Sequence, residues 1–130
     1  MENQKAVTAA IIKKDDKILI TQRKPSQSNP LFWEFVGGTI EFGEDPRDCM
    51  KREVKEELGI DVSVGKIFEV SSTINKENFH IILLGFHCEF LTGEIQKIEI
   101  NDFKWVTLDE MDSFKMAETD MYFVKALKKL

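Results

Sequence analysis

Residues 44–60 read Glu44-Asp45-Pro46-Arg47-Asp48-Cys49-Met50-Lys51-Arg52-Glu53-Val54-Lys55-Glu56-Glu57-Leu58-Gly59-Ile60. Asp45 offers a side-chain oxygen to the unpaired N–H groups of a first helical turn, and Pro46 fits the first helical position, where no N–H is needed. Gly59 suits the left-handed position just past a helix end. The stretch therefore predicts a helix over residues 46–58. At about 100° per residue, Glu57 falls near +40° and Glu56 near −60° from Glu53, while Met50, Val54 and Leu58 form an adjacent apolar stripe at about 60–140°. Three carboxylates share one narrow arc beside the core.

A helix that needs only solubility alternates its acids with lysine, because like charges three and four residues apart repel. Carboxylates gathered beside a core make chemical sense around a hard divalent cation, which takes oxygen ligands and supplies the missing positive charge. The pattern predicts Mg²⁺, with Mn²⁺ as a substitute. A structural calcium would call for an Asp-rich loop of the EF-hand kind, and the chain has none. A bound cation would also let an acidic surface accept phosphate oxygens.

Working outward, residues 6–12 and 17–23 alternate like the two arms of a hairpin around Asp15-Asp16. An irregular connection over residues 24–31 holds Pro25 and Pro30 and leads to an aromatic strand, residues 32–36, that runs into Gly37-Gly38. Beyond the helix come β-type runs at 61–73 and 79–91, a turn at Thr92-Gly93-Glu94, a strand at 102–107 and a terminal amphipathic helix from Asp120. No repeat or linker interrupts them. One α/β domain over residues 1–130, built on a mixed sheet, is the expected organisation.

The chain has 130 residues, a formal charge of −5 and 42% hydrophobic residues, enough to bury a real core. Three arginines and net acidity argue against a partner held by its polyphosphate backbone, so no nucleic-acid polymer is expected. The apolar run from Ala6 to Ile12 is short, ends in Lys13 and Lys14 and has no basic region ahead of a longer hydrophobic stretch, so neither secretion nor membrane spanning is expected. Cys49 and Cys88 lack disulfide or zinc spacing and read as small buried hydrophobes in a reducing, cytoplasmic compartment. His80, His87 and Trp105 read as packing residues. No Ser-His-Asp or Cys-His set stands in a strand-turn-helix context, so a covalent mechanism is not expected.

Gly38, Glu44 and Arg52-Glu53-Val54-Lys55-Glu56-Glu57-Leu58-Gly59-Ile60 together resemble the complete Nudix box, Gly-x5-Glu-x7-Arg-Glu-U-x-Glu-Glu-x-Gly-U, with U a bulky aliphatic residue. Every fixed position is filled. Lys17 to Arg23 and Trp33-Glu34-Phe35 ahead of Gly37-Gly38 resemble the MutT-type branch, so the likeness covers most of the chain.

The resemblance implies a single-domain α/β/α sandwich that hydrolyses a nucleoside diphosphate linked to another group by attack of a metal-bound water. It implies that Glu53, Glu56 and Glu57 hold the Mg²⁺ together with the Gly37 carbonyl, and that Glu53 and Glu56 act in catalysis with Arg52 orienting a glutamate. Glu44 is either a catalytic acid or an acid that complements the helix dipole. One further acidic ligand is expected ahead of the strand bearing Trp105, either Glu99 or Glu94. Arg23, Phe35, Gly38 and Asp120 are the expected substrate contacts, Asp120 as an ionised acceptor for the base or else as a helix cap. Relatives that cleave ADP-ribose or dinucleoside polyphosphates tend to carry a proline or tyrosine downstream of the box, where this chain has Asn75, Lys76, Glu77 and Asn78. The implied reaction is therefore cleavage of a nucleoside triphosphate, oxidised or modified forms included, to monophosphate and pyrophosphate by a monomer or homodimer. An ADP-ribose or sugar-nucleotide pyrophosphatase and a non-catalytic nucleotide sensor are the alternatives.

Overall fold

The computed structural model describes residues 3–75 and 77–130; Met1, Glu2 and Lys76, the last within the downstream stretch just quoted, lie outside the described residues. In chain order the elements are β1 (Asn3–Lys14), β2 (Lys17–Gln22), β3 (Trp33–Glu34), α1 (Pro46–Leu58), β4 (Asp61–Ile74), β5 (Phe79–Thr92), β6 (Asp102–Val106) and α2 (Glu118–Lys128), with a 3₁₀ turn at Glu110–Ser113 before α2.

The predicted first hairpin forms, but β1 and β2 pair only beside their turn, Lys13 with Ile18 and Lys14 with Lys17. Beyond it the two strands part. β2 takes β6 and β3 as antiparallel partners, while β1 runs parallel to β5 from Asn3 opposite Phe79 to Lys13 opposite Glu89. β4 pairs antiparallel with β5 and forms the outer edge. The edge of β1 that β2 vacates is filled by residues 36–40. The Ala10 N–H donates to the Val36 carbonyl at 2.8 Å, the Thr8 N–H to the Gly38 carbonyl at 2.8 Å and the Ile40 N–H to the Ala6 carbonyl at 2.9 Å. A Cβ on Gly37 would sit 1.9 Å from the Thr8 carbonyl oxygen, so only glycine passes here.

Alternation along β1 sends successive side chains to opposite faces of the sheet. Ala9 and Ile11 pack with Phe123, Val124 and Leu127 of α2. Ala10 and Ile12 pack with Met50, Val54 and Leu58 of α1, the stripe read from the sequence. One helix covers each face, which is the expected α/β/α sandwich around a mixed sheet. Each large apolar side chain so buried contributes about 1.5–3 kcal/mol. Cys49 and Cys88 are free and buried; Trp105 packs against the α1-side core. His80 is bonded to Gln4 and Ser72, and His87 packs edge-on against Phe68.

Two of the boundaries that differ from the sequence reading bear on the site. The aromatic strand shrinks from residues 32–36 to Trp33–Glu34, because Val36 and its successors turn onto β1 and Phe35 drops into the core at 3% exposure. The terminal helix starts at Glu118 with Ala117 at its cap position, so Asp120 is not a cap. Its own N–H already closes a turn on the Ala117 carbonyl at 3.0 Å.

Helix α1 is bracketed as expected: Asp45 accepts from the Arg47 N–H at 2.8 Å, and Gly59 sits at φ 72° with its N–H on the Lys55 carbonyl. Replacing Asp45 by alanine should cost about 1 kcal/mol of unfolding free energy. Urea denaturation of the two proteins measures it, with an unchanged slope showing that the fold is kept.

Candidate active site

The segment 36–40 and helix α1 meet around one guanidinium. Arg52 donates through Nε to Glu44 at 2.8 Å and through Nη2 to Glu44 at 3.0 Å and the Thr39 carbonyl at 3.2 Å. Its Nη1 reaches Glu53 at 2.9 Å and Glu56 at 3.3 Å. Arg52 and Glu56 are four residues apart, so the pair closes one turn along the helix. Glu44 thus turns away from the helix N-terminus, where Asp45 already caps, and its carboxylate ties Arg52 in place. That grip, with the Glu41 N–H on its Oε1, holds the Glu44 carboxyl down to about 2. Glu44 first, then Glu53 and Glu41, push Arg52 upward.

Gly38 provides room for Glu53. A Cβ there would fall 2.3–2.5 Å from the Glu53 carboxyl atoms, so the acid occupies the space a side chain would fill. Beside it Glu57 is largely buried, and its Oε2 has no hydrogen-bond partner among the described residues. Burial first, then the neighbouring charges of Glu53 and Glu34, push the Glu57 carboxyl up to about 9. A buried carboxylate oxygen with no donor is costly unless a positive charge faces it.

Glu53, Glu56, Glu57, Glu99 and Gly37 line one cleft of about 270 Å³. Of the two competing acids, Glu99 lines this cleft, whereas Glu94 borders a separate hollow with Phe103 and Trp105. The donor set is all oxygen and includes an orphaned buried carboxylate oxygen, which fits a hard divalent cation. Among the described residues no three acids already converge on one point; Glu53 and Glu56 are turned to Arg52, their available positive charge.

A second cavity of about 210 Å³ adjoins the first and shares Arg23, Glu34 and Gly37 with it. Phe35, Gly38 and Asp120 line it with Thr8 and Leu83. Arg23 donates through Nη1 to both Glu34 oxygens at 3.3 Å and through Nε to the Ser28 carbonyl at 2.6 Å. Asp120 is 5% exposed, and burial holds its carboxyl well above the usual range against the opposing pull of the Phe35 N–H and Arg23. Burial therefore works against the ionised, accept-only form of Asp120 expected from the sequence. Glu34, which sequence reasoning did not single out, stands between the two cavities, and burial raises its carboxyl against the pull of Arg23. A charged residue inside an aromatic run entering two glycines was the only signal for it.

A sandwich with an acid-lined cleft at the mouth of a capped helix defines a class of hydrolytic fold, and the comparisons name it. The NUDIX domain family model matches residues 2–127, and the chain belongs to the Nudix family. The CTP pyrophosphohydrolase of Escherichia coli (strain K12) is 34% identical over 125 residues, covering 95% of this chain and 91% of that protein. The 8-oxo-dGTP diphosphatase of Buchnera aphidicola subsp. Schizaphis graminum is 27% identical over 124 residues, covering 95% and 93%. The solution structure of the E. coli ORF135 protein superposes with a TM-score of 0.88 at 32% identity over 99% of this chain and 91% of that one. The chain is an enzyme of this family, a Nudix hydrolase. Among the described residues no helix is long and apolar enough to cross a membrane.

A carboxyl raised in the folded state binds protons that the unfolded chain has released, so its contribution to stability is full below the ordinary carboxylate range and is lost as pH rises through the folded value. For Glu57 that window runs from its ordinary 4.5 to about 9. In chelator, the melting temperature should fall between about pH 5.5 and about pH 8.5, and Glu57→Gln should flatten that fall. Added Mg²⁺ should raise the wild-type melting temperature at the alkaline end and leave Glu57→Gln nearly unmoved. A wild-type slope unchanged in the variant would place the pH response elsewhere.

Proposed function

We propose that the protein hydrolyses nucleoside triphosphates to the monophosphate and pyrophosphate with Mg²⁺, or Mn²⁺ in its place. The observation that carries this reading is the joining of an acid-lined cleft to a nucleoside-sized cavity across Arg23, Glu34 and Gly37. Glu53, Glu56, Glu57 and Glu99 would hold the cation with the Gly37 carbonyl. When bound, such a cation neutralises phosphate charge and acidifies water.

The chain's own groups do the rest. Glu53 and Glu56, the acids Arg52 holds, are the candidates to take the proton from the attacking water. Arg52 orients both, and Glu44 positions Arg52, acting through it rather than on the substrate. Arg23 stands where cleft and cavity meet and faces the phosphate nearest the nucleoside. Phe35, although a core residue, floors the nucleoside cavity together with Gly38. The ligand is a small nucleotide; the charge of −5 supports the absence of a nucleic-acid polymer, and the two free cysteines support a reducing, cytoplasmic setting.

The base is read at Asp120. A neutral carboxyl offers one donor and one acceptor side by side, which matches the ring nitrogen and amino group of cytosine. The E. coli relative named for CTP supports a cytidine-type substrate, and the Buchnera relative named for 8-oxo-dGTP keeps oxidised guanine nucleotides in the same class.

A nucleotide panel with Mg²⁺ tests the reaction, ADP-ribose and sugar nucleotides included; faster turnover of those than of any triphosphate would reject it. Glu53→Gln should remove all but a few per cent of turnover, roughly a loss of thirtyfold or more, while the protein stays folded. Hydrolysis in ¹⁸O-labelled water should place the label in pyrophosphate, the outcome of attack at the β-phosphorus. Orthophosphate as first product would overturn the assignment.

Because an amide also offers one donor and one acceptor, Asp120→Asn should keep the ratios of kcat/KM among bases within about threefold, whereas Asp120→Leu should lose roughly tenfold or more on cytidine triphosphate. Strong reversal of base preference in Asp120→Asn would show an ionised carboxylate at work.

A further inference from the structure

Three cations stand near the acid-lined cleft, and the two arginines are each held by several partners. All of the Arg52 nitrogens are bonded to Glu44, Glu53, Glu56 and the Thr39 carbonyl. Arg23 is held by Glu34 through Nη1, by the Ser28 carbonyl through Nε and by the Ser28 hydroxyl through Nη2. Lys24 differs. Its backbone is fixed, with its N–H on Gln27 Oε1 at 2.8 Å and its carbonyl accepting the Gln27 N–H at 3.1 Å. Its ammonium group is held more loosely, 3.2 Å from the Ile98 carbonyl and 3.5 Å from Glu99 Oε2, on a side chain 34% exposed.

This contact spans the rim of the cleft, from the loop after β2 to the loop before β6. Both of its neighbours, Gln27 and Glu99, line the cleft, and neither lines the nucleoside cavity. Lys24 therefore stands on the side away from Asp120, where the outer phosphates of a triphosphate seated in both cavities extend. Its partner Glu99 is also one of the acids assigned above to the cation. An acid engaged there is less available to the ammonium group, which is then positioned to meet another anion.

We propose that Lys24 is a substrate-binding residue for the outermost phosphate: it exchanges Glu99 for that phosphate as the nucleotide enters. The proposal rests on the triphosphate reading of the preceding section and adds to it a residue outside the Nudix box. A single ammonium group on an exposed phosphate makes a charge-assisted contact, and its loss should weaken binding by about tenfold.

The test uses Lys24→Met and Lys24→Arg. With Mn²⁺ alone, followed by the electron paramagnetic resonance of the free ion, Lys24→Met should bind roughly threefold more tightly than wild type, since Glu99 loses a competing cation. With nucleotide, KM for the triphosphate should rise about tenfold with little change in kcat, while affinity for the monophosphate product stays level. Lys24→Arg should restore the triphosphate KM. Equal losses for monophosphate and triphosphate would reduce Lys24 to a prop for its loop, and a fall in Mn²⁺ affinity or an unmoved triphosphate KM would overturn the exchange. Should the wild type cleave no triphosphate, that failure belongs to the substrate reading. Binding of inorganic pyrophosphate in the presence of Mn²⁺, weakened in Lys24→Met if the proposal holds and unchanged if it does not, then decides the role of Lys24.

Discussion

The parting of β1 from β2 is the constraint on which the rest of the site depends. A strand edge left open between two sheet segments must have its N–H and C=O groups satisfied. Here residues 36–40 do this, and their path is so close to β1 that Gly37 admits no side chain. Once that segment is fixed, Gly38 stands over Glu53, Thr39 presents its carbonyl to Arg52, and the chain enters α1 with its acids facing the seam. The backbone solution to an unpaired edge is also the frame of the acid cluster.

That frame holds charge in an uneven way. Glu44, Glu53 and Glu56 share a single guanidinium, whereas the half-buried Glu57 has an inner oxygen with no donor among the described residues. Ordinary folding energetics give no reason to keep such an atom, since burial of an unsatisfied carboxylate costs more than the packing around it returns. On the proposed reading a divalent cation would answer both features, facing the inner oxygen of Glu57 and drawing Glu53 and Glu56 from Arg52. The stability of the fold and the readiness of the site therefore oppose one another locally, as is usual where function requires like charges in contact.

The second cavity shows a different use of burial. Asp120 lies in the first turn of α2, where the helix meets Phe35, and burial pushes its carboxyl well above the usual range. Glu34 is raised for the same reason but remains tied to Arg23. Two carboxyls with two environments so line the second cavity, Asp120 raised by burial, Glu34 by burial against the pull of the Arg23 it is bonded to.

Much of this was written in the chain. Asp45, Pro46 and Gly59 set the ends of α1 by local backbone chemistry, and the periodicity of Met50, Val54 and Leu58 set its buried face, so helix and acids were legible without the fold. The β-type run over residues 6–12 likewise announced the strand that became β1. What the sequence could not carry was distance between segments far apart along it. Glu99 rather than Glu94 faces the cleft because the loop after Gly93 is pinned to α1 by the Gln96 N–H on the Leu58 carbonyl and the Ile98 N–H on the Glu57 carbonyl, at 2.8 and 3.2 Å. Of the two readings the sequence left open for Asp120, the helix cap falls away because α2 starts at Glu118, with the Ala117 N–H tied to the Trp33 carbonyl at 2.7 Å. Glu34 came into the site only when β3 paired with the far end of β2 and set it against Arg23. Local patterns determine which groups a helix or strand presents; desolvation and the neighbours that shift a carboxyl are long-range properties, and only the assembled sheet decides them.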